Sequence, residues 1–279
     1  MSVRIIVDST ADLMPEVKEA VHVVPLTVHF GDTEYIDGVT ITHREFYEKL
    51  VETDVMPQTS QASPAAFEAV FEEITRQGDS AVVLTIAANL SGTYQSACIA
   101  AQDFENIYVV DTGTVAVGSG ILAERAIALA EAGMEAAEIA RILEQEKQDV
   151  LIVAMVDTLE YLKKGGRVSA AAAFAGGLLN IKPVLAVESG EIKMLGKARG
   201  SKQGNNLLVQ QIHAAGGIDF SRPILLGYTG LSDALLQKYI ADSKMLWEDG
   251  TDRLRYVCVG SIIGTHAGPG AVAVAFFKK

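Results

Sequence analysis

Basic charge is what this sequence is short of. Lys and Arg number 23 against 35 Asp and Glu, a formal net charge of −12. A nucleic-acid surface needs a basic stripe, and general adhesion to anionic membranes needs the same sign, so both are disfavoured. The one local basic cluster is Lys163, Lys164 and Arg167. Cysteine is nearly absent. Cys98 and Cys258 sit in apolar contexts and read as buried free thiols, with neither a disulfide nor a metal site expected. No uncharged apolar run reaches the ~18–20 residues that cross a bilayer. The longest, Ala170 to Leu179, is Ala-rich and broken by Gly176 and Gly177. The opening Met-Ser-Val-Arg-Ile-Ile-Val-Asp runs straight into a strand pattern without a signal-peptide layout, so a cytoplasmic protein is expected.

Several signatures of chemistry are missing too. There is no Gly-x-Gly-x-x-Gly opening a helix, no P-loop and no Gly-x-Ser-x-Gly elbow, and Val117-Gly-Ser-Gly120 is too short for a dinucleotide fingerprint. No metal-ligand spacing occurs, so neither a metal nor a cofactor is expected. Repeats, low-complexity tracts and Pro- or Ser-rich linkers are also missing, which predicts two halves packed closely.

What is present is a folded globular composition, 49% apolar and 21% charged over 279 residues. That length exceeds one ordinary core and predicts two domains, 1–148 and 149–279. In the first, strands are predicted at Val3–Val7, Val21–Val24, Leu26–Phe30, 81–86 and 107–110. They alternate with helices near Pro15, after the capping box Thr42-His-Arg-Glu45, after Ser63-Pro64, and over 92–102, 117–132 and 136–147. Such alternation predicts an α/β domain with a doubly wound parallel sheet. From Asp149 the character becomes α+β. Strands are predicted at 183–188 and 191–197 about a Ser189-Gly190 turn, and at 223–228, 254–259 and 271–277, with helices at 202–215 and 231–243.

Candidate chemistry gathers at a few loops. Leu90-Ser-Gly-Thr-Tyr-Gln-Ser-Ala97 follows an apolar strand and opens a helix, with Ser91 as the expected N-cap and Gly92 letting a ligand near the backbone. A helix start offers unpaired N–H groups to an anion. Thr59-Ser60-Gln61 reads as a loop before the Ser63 cap, either a polar turn bonding its own backbone or a second ligand-facing loop on the same sheet edge. Asp8-Ser9-Thr10 has the same two readings. Lys163-Lys-Gly-Gly-Arg167 fits a helix C-terminus, which accounts for the lysines and less well for Arg167. Gly264-Thr-His-Ala-Gly-Pro-Gly270 reads as a glycine-rich loop, in which His266 is structural, an acid–base group or an anion contact.

Six segments in order resemble the DegV family of bacterial fatty-acid-binding proteins, which includes binding subunits of fatty-acid kinases. They are Asp8-Ser-Thr-Ala-Asp-Leu13, Pro57-Gln-Thr-Ser-Gln61, Leu90 to Ala97, Asp157-Thr-Leu-Glu-Tyr-Leu-Lys-Lys-Gly-Gly-Arg167, Leu179-Asn-Ile-Lys-Pro183 and His266-Ala-Gly-Pro-Gly-Ala271. The resemblance implies two α/β domains with a long-chain fatty acid such as palmitate between them. Its carboxyl is then held by Thr59 and Ser91, with Arg167 and His266 at the same polar end and Ser60, Gly92 and Thr93 contributing secondarily. It also implies a non-catalytic carrier in lipid transport or fatty-acid metabolism that touches a membrane surface only transiently. A separate kinase protein would receive the acyl group, with Arg199 nearest to the family's docking arginine. Two positions depart from the family pattern, Ala87-Ala88 where serines are usual and Asp111-Thr112-Gly113 where an Asp-Ser pair is commoner. The Ala170 to Leu179 segment is the expected tunnel lining, or else an ordinary packed helix. Two rival readings remain open. One is a serine hydrolase using Ser91 and His266, which needs a carboxylate such as Asp8 behind the histidine. The other is a carrier of a small phosphorylated metabolite.

Overall fold

The computed structural model describes residues 2–167, 181–248, 250 and 254–279. The expected tunnel lining, Ala170 to Leu179, therefore lies outside the described residues. The first half is built on a parallel sheet. β1 (Val3–Asp8) lies between β2 (His22–Val24) and the later strand β6 (Ser80–Thr85), which in turn pairs with β7 (Ile107–Asp111). Side chains alternate across the pleat. Ile6, Ala81 and Val83 face one hydrophobic cluster, whereas Ile5, Val7, Val82 and Leu84 face another. Both faces are covered, so β6 is buried along its whole length, as parallel strands require.

A small antiparallel sheet stands beside it, with β3 (Thr27–Phe30) between β4 (Thr33–Ile36) and β5 (Gln58–Ser60). The helix α1 (Pro15–Lys18) is a single turn. The Thr42 capping box opens α2 (His43–Glu52), and the Ser63 hydroxyl caps α3 (Pro64–Arg76) through Ala66 N. Two longer helices, α5 (Ala116–Glu131) and α6 (Ala136–Glu146), follow the short α4 (Thr93–Ala100).

The second half is a mixed sheet. Its order is β10 (Glu191–Arg199), β9 (Ile181–Glu188), β8 (Val150–Met155), β13 (Val272–Phe277), β11 (Leu225–Tyr228) and β12 (Tyr256–Cys258), with only β11 and β12 parallel. One face is covered by α8 (Gly200–Ala214), α9 (Ala234–Asp242) and α10 (Lys244–Trp247) around Leu208, Leu236, Tyr239 and Trp247. The other face packs on α5.

That helix is the partition of the molecule. It touches β1 and β6 on one side and β8, β11 and β13 on the other. A helix buried on opposite sides must be apolar nearly all round, and Val117, Ile121, Leu122, Ala123 and Ala126 are all buried. Its glycines have a packing role. A Cβ at Gly120 would lie 2.3 Å from the Asp12 carbonyl oxygen, and one at Gly118 would lie 2.2 Å from Thr114 Oγ1. Two further helices, α7 (Glu160–Lys164) and α11 (Ser261–Ala267), come from the second half, and α11 lies against α2 of the first. Among the described residues, no helix is long and apolar enough to cross a membrane.

Candidate functional site

A cavity of about 390 Å³ opens between the two halves. Three small residues stand side by side on its sheet wall. Gly227 on β11, Ala273 on β13 and Ala154 on β8 are direct cross-strand neighbours on the face turned to α5. In the next row on that face, Leu225 and Ile152 carry larger side chains on either side of Ala275. The alanines keep the wall shallow, and Gly227 lets Val117 and Val259 pack close to the sheet, where a Cβ would come to 3.0 Å from both. Ile86, Val115, Val117, Val187 and Ile192 complete an apolar wall.

The polar lining comprises Thr59, Ser60, Gln61, Ser91, Arg167 and His266, with Gly92, and also Tyr228 and Thr229 at the end of β11. Five separate segments supply it. Thr59 and Ser60 sit on edge strand β5, where Val28 pairs with Thr59. This corrects the expectation of a loop before the Ser63 cap: a three-residue strand, Gln58–Ser60, held by the antiparallel sheet was hidden in a polar sequence. Gln61 Nε2 donates to Ser96 Oγ at 2.9 Å, tying this strand to α4. A Cβ on Gly92 would lie 2.1 Å from Gln61 Oε1, so only glycine admits that approach. Gln61 was not among the expected contact residues, although it belongs to the same motif.

Ser91 is not the helix cap. Gly92 occupies that position, because α4 begins only at Thr93. Ser91 Oγ instead shares a 2.9 Å hydrogen bond with Thr93 Oγ1 and accepts from Thr93 N at 3.3 Å. Thr93 is fully buried behind Ser91 and does not line the cavity.

His266 stands on a helix, not in a glycine-rich loop. Gly264 lies inside α11 because a Cβ there would meet Tyr47 Oη at 2.5 Å and Phe46 at 2.8 Å, so its glycine serves close packing. His266 Nε2 lies 3.0 Å from Thr59 Oγ1, joining the two halves at the cavity mouth. Its Nδ1 is buried with no partner among the described residues. The ring packs on Gly165, where a Cβ would lie 2.1 Å from Nδ1. Burial, and then the Arg167 charge, lower the imidazole pKa to about 4. At neutral pH the ring is therefore uncharged.

Arg167 is exposed, and backbone carbonyls orient it. Its Nε donates to Leu90 O at 3.2 Å and its Nη1 to Gly165 O at 2.8 Å. Lys163 and Lys164 end α7 ahead of Gly165, and Lys164 pairs with Glu160 at 2.6 Å, as a helix C-terminus favours. Arg199 lies elsewhere, on the exposed end of β10. The two departures from the family pattern leave the loop anchored, since Asp111 Oδ1 accepts from both Ala88 N and Gly113 N.

A hydrolytic triad is not assembled among the described residues. The Ser91 hydroxyl pairs with Thr93 and not with His266. Asp8 is buried and spends its oxygens on Thr10 and Ile86 N, far from the role a triad carboxylate needs.

The sequence model of the DegV family, described as uncharacterised proteins, matches residues 2–279. A DegV domain-containing protein of Deinococcus radiodurans is 36% identical over 282 residues, which span 99% of this chain and 98% of that protein. Among solved structures, a DegV family protein of Thermus thermophilus described by its fatty-acid binding superposes with a TM-score of 0.89 at 33% identity, covering 100% of both chains. A stearic-acid-binding protein of Eubacterium ventriosum superposes with a TM-score of 0.88 at 29% identity, covering 100% of this chain and 99% of that one.

Proposed function

The chain belongs to the DegV family, and from that premise we propose that it carries one long-chain fatty acid between its two halves, 1–148 and 149–279. The observation that supports this reading most is the lining of the cavity: mostly aliphatic, with Thr59, Ser91, His266 and Arg167 held close together, since His266 bonds Thr59 and Arg167 bonds the carbonyl just before Ser91. A sixteen-carbon acid brings roughly fifteen carbons beyond the carboxyl, a gross gain on the order of 12 kcal/mol at about 0.8 per methylene. Lost ligand freedom offsets much of that, and the remainder still allows tight binding. A phosphorylated metabolite offers no such apolar body to so apolar a space.

The carboxylate cannot be buried bare. In this reading neutral His266 carries its proton on Nε2 and donates it to Thr59 Oγ1. The Thr59 hydroxyl hydrogen is then directed at the carboxylate, which also accepts from Ser91, with the Arg167 charge close by and Ser60, Gly92 and Thr93 shaping the turn around it. None of these groups activates a nucleophile, so the protein acts as a carrier. It takes a poorly soluble chain from a membrane surface or from water and presents its carboxyl end to an enzyme. A fatty-acid kinase docking near Arg199 is the recipient this reading favours.

Native mass spectrometry of freshly purified protein tests it. One adduct with the mass of a sixteen- to eighteen-carbon fatty acid, extractable into organic solvent, is the expected result. A water-soluble phosphorylated adduct, or covalent labelling of Ser91 by a fluorophosphonate, overturns it.

A further inference from the structure

The Asp8-Ser-Thr-Ala-Asp12 segment ends in a buried carboxylate that does not line the cavity between the halves. Asp12 is 4% exposed, and Asp37, in the turn after β4, is 3% exposed. Both belong to the first half, yet both bind the start of α11 in the second. Asp12 Oδ1 accepts from Gly260 N at 2.8 Å, and Ser261 Oγ donates to Asp37 Oδ1 at 2.6 Å. Tyr47 Oη adds a third tie, donating to Val259 O at 2.9 Å. At its other end the same helix holds His266 against Thr59, and between the two ends Ile262 and Ile263 form part of the cavity wall.

We propose that Asp12 and Asp37 are positioning residues that latch the first turn of α11 from outside the cavity, and that this latch sets how fast a fatty acid enters and leaves. The proposal rests on the carrier reading above. α11 is a single short helix shared between the halves, so freeing its first turn frees a cavity wall and the His266 ring together. The latch is also poised to open. Asp12 Oδ2 is buried without a partner among the described residues, and Asp12 lines a pocket of about 160 Å³ with Lys18, Asp37 and His43. A buried carboxylate oxygen without a donor is unfavourable, and opening the latch hydrates it. Burial pushes the Asp12 carboxyl well above its usual range, against the bond from Gly260 N, while the neighbouring Asp37 charge adds to the rise and Lys18 opposes it.

The test breaks one bond from each side. Asp37→Ala, Ser261→Ala and the double variant are loaded with tritiated palmitate, and its release to excess albumin is timed. Each single change is expected to speed release roughly ten- to a hundredfold, the equivalent of one hydrogen bond to a charged group. The double variant should be no faster than the faster single, because both substitutions remove the same bond. Unchanged release, or effects that multiply, overturn the latch. A second measurement needs no ligand. The His266 ring is titrated by NMR in unliganded wild type and Ser261→Ala, where a positioning role moves its pKa up from about 4 towards the ordinary histidine range. An unmoved value overturns the proposal, while a general loss of stability alone lowers the melting temperature without shifting this titration. A wild type that holds no palmitate fails the carrier reading instead, and the latch is then judged on the His266 titration.

Discussion

The inner end of the cavity and its mouth are built by opposite means. The inner end is walled by a row of small residues, Gly227, Ala273 and Ala154, facing α5, and by side chains of the same cluster that forms the core of the protein. The mouth arises from convergence, with β5, the turn before α4, the end of α7 and the end of α11 each bringing one or two polar side chains. The inner end can only offer area, which scales with the length of whatever fills it and ignores its chemistry. The mouth offers few bonds, but each has a direction and a charge preference. Affinity should therefore reside mainly in the interior, and selectivity for a carboxyl group at the entrance.

That contrast breaks most sharply if the interior is filled. Ala273→Phe places a ring where about six methylenes would lie, and long-chain affinity is expected to drop by about 5 kcal/mol. Isothermal titration with palmitate and then with octanoate checks it, because the shorter acid should lose much less. An equal loss for both would place the binding energy at the mouth instead.

The next effect belongs to the mouth and is electrostatic. His266 has a folded pKa of about 4, below its unfolded value near 6.5, so unfolding takes up a proton between those values. The stability contributed by the neutral ring is complete above pH ~6.5 and is lost as pH falls through 4, by up to about 3 kcal/mol. Urea unfolding of wild type and His266→Gln across this window should show the steeper decline in wild type. Parallel pH profiles would mean that the ring is not held neutral by burial.

Smaller again are the hydroxyls. Thr59→Ala and Ser91→Ala should each weaken palmitate binding by about 1.5–3 kcal/mol while leaving the affinity of the uncharged methyl ester nearly unchanged. If ester and acid suffer alike, these hydroxyls shape the cavity and do not bind the carboxylate. The smallest effect on lipid affinity is expected for Arg199→Ala, which lies outside the cavity. It should spare palmitate binding and slow acyl-phosphate formation by a cognate kinase, and unaltered turnover would remove Arg199 from that role.

Much of this architecture was legible in the sequence wherever the signal is local. The Thr42 capping box and the Ser63-Pro64 start open helices where expected. The Ser189-Gly190 turn joins β9 to β10, with both residues at positive φ. The convergence of Thr59, Ser91, Arg167 and His266 on one cavity also followed from motifs recognised in order. Less legible was anything decided by a distant neighbour. β5 is a strand only because β3 pairs with it, and α11 keeps Gly264 because Tyr47 and Phe46 crowd it. Ser91 misses the cap by one position, since Thr93 and not Gly92 begins the helix. The row of small residues on the cavity wall was invisible, because residues 154, 227 and 273 meet only through the register of three strands.

The most direct test is the affinity of a saturated fatty-acid series, from octanoate to stearate, measured calorimetrically at one pH and ionic strength. If the apolar interior supplies the binding energy, affinity rises by about 0.8 kcal/mol for each added methylene until the cavity is full, then levels off. A series whose affinity does not depend on chain length would contradict the account.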